Sequence, residues 1–187
     1  MADLVIRIKK KSDGSAALSC VRRDGSTTWQ RQEGQLGRFF PLHDLTHYAV
    51  ETVLGFEHAF FGLVASGWDL SDFGTGGARG KIPDEAGLAE MVVGFFDLER
   101  MTGERETAEV LCSRIQSARE DRGLPPTSFR ITEEQIARIR ETRADLFARW
   151  KAIPPGEALV LPFDMTAESA TPGRGTQTMQ GGRTEHV

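Results

Sequence analysis

Three of the four histidines, His43, His47 and His58, fall within sixteen residues and are interleaved with Asp44, Glu51 and Glu57. Imidazole and carboxylate groups at this density can hold a divalent metal ion or relay protons. At about 100° per residue, His43, Asp44, His47, Glu51 and His58 share one sector of a helix. His43 and His47 stand i,i+4, so both rings can reach one ion from a single turn. Glu51 lies a further turn along and can supply an oxygen. His58 shares their direction but not their position, because on a continuous helix it would lie about 22 Å along the axis from His43. The candidate metal set is therefore His43, His47 and Glu51. Glu90, Asp97 and Glu109 on later helices are the candidates for a further ligand. Zinc, iron and manganese all suit such donors.

Asp44 has two open readings. It can cap a helix that starts after Pro41, accepting backbone N–H groups. Alternatively it is the catalytic acid or base beside the ion. His43-Asp44-x-x-His47 resembles the His-Glu-x-x-His helix motif of zinc metallopeptidases. That resemblance implies His43 and His47 as zinc ligands and Asp44 as general base. It covers five residues, and aspartate is one methylene shorter than the glutamate of the motif. The purely structural reading pairs His47 with Glu51 as an i,i+4 couple and leaves His58 as a core or interface histidine.

These residues must be positioned by the elements around them. The segment from about Leu42 to Ala65 is apolar almost all round its axis, which predicts a single buried central helix. Gly55 and Gly62 within it would let a neighbouring backbone approach closely. Before it, Leu4–Ile8, Ala16–Arg22 and Ser26–Gln30 read as three short strands, with turn signals at Lys9–Gly14 and Asp24-Gly25. The lysines at 9–11 read as a solvated turn. Helical patterns cover Asp84–Met101, Glu104–Arg119 and Thr132–Ala152, the last opened by the capping box Thr132-Glu-Glu-Gln135. On that helix Ile136, Ile139, Leu146 and Trp150 form an inward stripe, while Arg138, Arg143 and Arg149 read as solvent-facing. Glu157–Phe163 is a final strand that could join the first three. The expected fold is α+β: a small antiparallel sheet packed on about four helices, as one domain over residues 1–164. Residues 165–187 lack large apolar side chains and read as a disordered tail.

Residues 66–83 form a glycine-rich loop without phosphate-loop spacing. Arg79 there could clamp an anion, and Trp68 could anchor the loop or line a pocket mouth. The formal charge is −4, and residues 41–110 hold thirteen acids against four bases. That balance argues against nucleic acid or an anionic membrane as partner and favours a cation near the histidines. Cys20 and Cys112 lack metal or redox spacing and read as buried free thiols of a cytoplasmic protein. Two functions fit. One is a metal-binding protein, a hydrolase of a small molecule among them. The other is a non-enzymatic interaction or assembly protein whose polar helix face is structural. A homo-oligomer is compatible with either.

Overall fold

Strand β1 (Leu4–Lys10) buries Leu4, Ile6 and Ile8 on one face and turns Arg7 and Lys9 to the other. This is the period-two alternation of a sheet covered on one side. The computed structural model describes residues 2–34, 36–74 and 79–165. β2 (Ala16–Arg22), β3 (Thr27–Gln32) and β4 (Ala158–Phe163) complete an antiparallel sheet in the order β3-β2-β1-β4. Register places Ile6 opposite both Cys20 and Leu161, so one apolar row crosses three strands. β4 arrives after all the helices and takes the free edge of β1, as its alternation predicts. The expected tail, apart from Met165, lies outside the described residues.

Among the described residues are five α-helices: α1 (Phe40–Leu54), α2 (Phe60–Ala65), α3 (Asp84–Thr102), α4 (Ala108–Asp121) and α5 (Glu133–Ala152); α1 and α2 lie on the sheet and α4 packs on α3. α1 is central, packing on α3 and α5 and joined to β4 through the Tyr48 hydroxyl, which donates to the Pro162 carbonyl at 2.7 Å. The apolar segment expected to run unbroken to Ala65 is broken. Gly55 adopts a left-handed conformation (φ 69°), and its N–H returns to the Glu51 carbonyl, ending α1. Such a cap stops a helix at little cost only where no Cβ is present. Gly62 makes the close approach that the sequence suggested, since a Cβ there would collide with the Glu57 carbonyl. The connector therefore folds back on the start of α2.

Four further local results concern helix ends and faces. α4 begins at Ala108 rather than Glu104, because Gly103 (φ 77°) closes α3 and Thr107 then caps α4. Lys10, expected in a solvated turn, donates to the carbonyls of Trp150, Lys151 and Ile153. It thereby satisfies the C-terminal end of α5. Arg143, expected on the solvent face of α5, is only 5% exposed. The α5 face that carries Ile136, Ile139 and Leu146 into the core carries Arg143 with it. The capping box of Thr132 and Gln135 forms as read, with bonds of 2.9 and 3.1 Å.

Candidate metal centre

α1 starts at Phe40, so Asp44 lies beyond its first turn and does not cap it. Asp44 is buried and accepts a hydrogen bond from the Gln32 side-chain amide on β3. Burial raises its carboxyl to about 6, against the Gln32 bond and the neighbouring His47 and His43, which favour the charged form. Gln32 Oε1 is buried beside it without a hydrogen-bond partner.

His43 and His47 point from α1 toward α3, with ring centroids 4.8 Å apart in an edge-to-face arrangement. Phe39 stacks on His43 at 5.5 Å and Phe60 tilts against His47 at 5.2 Å, giving the pair an apolar surround. Nδ1 of His43 lies 2.7 Å from Oδ2 of Asp97 on α3. Nδ1 of His47 lies 3.1 Å from Oε1 of Glu51, and its Nε2 lies 3.2 Å from Oε1 of Glu90 on α3.

Glu51 is wholly occupied by these neighbours. Its second oxygen accepts the N–H of Phe61 at 2.9 Å and that of Gly62 at 3.4 Å. The break at Gly55 makes this possible, because it turns the first amides of α2 back toward Glu51. Burial raises the Glu51 carboxyl, with His47 and those amides acting in the opposite direction. Burial alone would lower the His47 pKa, but Glu51 and Glu90 outweigh it and raise it to about 10. Without an ion the buried ring is therefore an imidazolium between two carboxylates.

His43, His47 and Glu90 each offer a ligand atom, and the three atoms lie within 4.8 Å of one another. A tetrahedral zinc site with bonds near 2.0–2.1 Å needs donor separations of about 3.3 Å; the His47–Glu90 pair, at 3.2 Å, already meets it. The donors fit a divalent ion. No protein-family profile, curated protein or solved structure matches this chain. The geometry therefore carries the functional argument alone.

Of the residues singled out from sequence, His43, His47, Glu90 and Asp97 are brought together. Glu51 joins them from behind His47, on the Nδ1 side. Asp44 faces β3 rather than α3. Glu109 is exposed on α4, and His58 is exposed in the connector, where its backbone N–H is bonded by Glu85. Arg79 pairs with Asp72 at 3.1 Å, and Trp68 packs on Phe73. Residues 75–78 of that loop lie outside the described residues. Sequence reasoning missed Gln32, Phe39 and Phe60. Phe39 had a signal, standing four residues before His43, whereas nothing local links Gln32 to Asp44.

Proposed function

We propose that the protein binds a divalent metal ion, zinc being the best match, through His43, His47 and Glu90, and uses it to hydrolyse a small molecule. The observation that carries this reading is the pairing of both histidines with carboxylates at Nδ1: His43 with Asp97 and His47 with Glu51. Metal-binding histidines characteristically donate their other ring N–H to such a partner, which fixes the tautomer and strengthens the ligand. Two imidazoles and one carboxylate are also a known catalytic zinc set, leaving a position for substrate. Such an ion would polarise a carbonyl or phosphoryl oxygen and acidify water.

Glu51 and Asp97 act here as positioning residues. Asp44 is the proposed proton acceptor: a carboxyl near 6 suits that task, and to perform it the side chain must leave Gln32 and turn from β3 toward the ion. Glu90 also borders a groove of about 320 Å³ between α3 and α4, with Met91, Gly94, Phe95 and Ile115 among its walls. That gives a small substrate a route to the exposed side of the centre. The low net charge and the free thiols Cys20 and Cys112 support a cytoplasmic protein without a nucleic-acid partner. Among the described residues no helix is long and apolar enough to cross a membrane.

One observation favours the interaction reading. Leu98 and Met101 on α3 and Val110 on α4 are exposed and could pack on a partner or a second copy. Metal content separates the two. Untagged protein expressed with adequate zinc should carry about one ion per chain, and His47→Ala should lose it while remaining folded. A parent protein that binds no divalent ion at micromolar concentration would overturn the metal reading.

A further inference from the structure

Arg143 is a buried cation with only neutral partners. Its Nε donates to Thr46 Oγ1 at 3.3 Å and its Nη2 to the Phe96 carbonyl at 2.9 Å. Its planar face lies over the Phe96 and Phe147 rings, at 5.1 and 5.3 Å. Among the described residues no carboxylate lies within ion-pair distance of it. Asp97 and Glu99 lie near enough to favour its charge without pairing with it, but burial outweighs them, and carbonyls and rings recover only part of the cost.

Arg143 also lines a pocket of about 180 Å³ with Arg100, Arg105, Arg140, Glu99 and Phe147. Four guanidinium groups thus face one carboxylate, which is already taken: Glu99 is held by Arg140 through contacts of 2.6 and 3.0 Å. Arg100 makes only long contacts, 3.4 Å, to Asp97. Arg105 is exposed and has no carboxylate partner among the described residues.

We propose that this pocket is an oxyanion site that takes the phosphate group of a small ligand. Arg143 supplies the buried charge, Arg105 and Arg100 close on the ligand from the rim, and Phe147 forms an apolar wall. Guanidinium groups match a phosphate because two N–H groups can meet two oxygens at once. Phosphate is favoured over a single carboxylate because Arg143 and Arg105 have no ion-pair partner among the described residues, and Asp97 holds Arg100 only at 3.4 Å. The pocket is linked to the metal centre through Arg100, which meets Asp97 Oδ1 and lies over Phe39, the ring stacked on His43; Asp97 Oδ2 in turn meets His43. The site does not depend on the metal reading.

The test is calorimetric titration of the full chain with inorganic phosphate and with phenyl phosphate at fixed ionic strength. The parent should bind with saturable one-to-one stoichiometry. Arg105→Ala should weaken binding at least about fivefold, as loss of one charge-assisted contact implies. Arg138→Ala, the same charge change on the exposed face of α5, should leave it within about twofold. Tighter binding of phenyl phosphate would identify an aromatic phosphate ester lying on Phe147, and equal binding would identify free phosphate. Two results would overturn the site. One is no saturable binding at millimolar concentrations of either probe. The other is equal weakening by both substitutions, which would mean only general attraction to positive charge.

Discussion

Glu51 holds His47 from behind: Oε1 lies 3.1 Å from Nδ1, while Oε2 takes the Phe61 N–H at 2.9 Å. One buried carboxylate therefore joins the end of α1, the start of α2 and a candidate ligand. Glu51→Gln should disturb all three. An amide has only one acceptor oxygen, so either the His47 ring or the Phe61 N–H is left facing an NH₂ group. We expect a loss of about 1–3 kcal/mol in urea unfolding. Loss of a carboxylate behind a ligand histidine should weaken zinc binding by about 10–100-fold. A variant with parental zinc affinity would exclude Glu51 as a positioning residue.

Zinc binding should depend steeply on pH. The His47 pKa of about 10 means that its proton is bound throughout the neutral range, whereas the unfolded chain releases it near 6.5. Its contribution to folding is therefore complete below the unfolded value and is lost as pH rises through about 10. An ion must displace the same proton, so affinity should increase with pH, by about tenfold per unit in the neutral range for one proton released. Calorimetry in buffers of different ionisation enthalpy would count that proton. Zinc uptake without proton release at pH 7 would mean that His47 is not a ligand.

Asp44 makes the opposite kind of pairing. Its native carboxyl near 6 against a model value of 3.8 means that the folded state keeps a proton that the unfolded state has lost. Its contribution to stability is thus present below about 3.8 and lost as pH rises through 6. The unpartnered Gln32 Oε1 gives a physical reason, since a protonated Asp44 could donate to it if the amide turned. Asp44→Asn can form the same two-bond pair at every pH. It should stabilise the protein at pH 7 by on the order of 3 kcal/mol at most, with the gain vanishing near pH 4. Thermal melts between pH 4 and 7 measure this. If Asp44 is the proton acceptor, the same variant loses hydrolysis while gaining stability.

How much of this could be read from the sequence depended on how local each signal was. The strands, the capping box at Thr132 and the i,i+4 relation of His43 to His47 are all local patterns. The set of acids on α3 could be narrowed to Glu90 and Asp97 by their spacing of seven, but their partners could not be assigned. That required the distance and phase between two helices. The break at Gly55 was hidden because apolar residues continue on both sides of it. Arg143 was misjudged because a charge on a mixed helix face ordinarily meets water. What turns it inward is the rings of Phe96 and Phe147, which surround its guanidinium.

Two glycines on one path through the fold should respond in opposite directions. Gly94 lies within α3 at the groove beside Glu90, and a Cβ there would meet nothing within 4 Å. Gly94→Ala should stabilise the protein by about 1 kcal/mol, the difference in helix propensity. Gly62→Ala puts a methyl group against the Glu57 carbonyl and should destabilise by several kcal/mol, since the connector must move. That movement would also draw the Gly62 amide from Glu51, so zinc affinity should fall with stability in Gly62→Ala and hold in Gly94→Ala. Denaturant midpoints and zinc titrations on both variants check the coupling. Equal zinc affinity in the two would disconnect the α1–α2 break from the metal centre.

The thiols give a prediction independent of the centre. Cys20 lies inside the sheet face, and burial first, with nearby Asp44 second, pushes its pKa to about 12. A thiol held protonated and out of contact with solvent does not attack disulfide reagents. Cys112 on α4 is only half-buried. In native protein at pH 8, Ellman's reagent should therefore titrate Cys112 alone, and Cys20 should react only after unfolding. Cys112→Ser should leave no fast-reacting thiol. Rapid native labelling of Cys20 would mean that β2 opens on the timescale of the reaction, and with it the Gln32–Asp44 contact on the neighbouring strand.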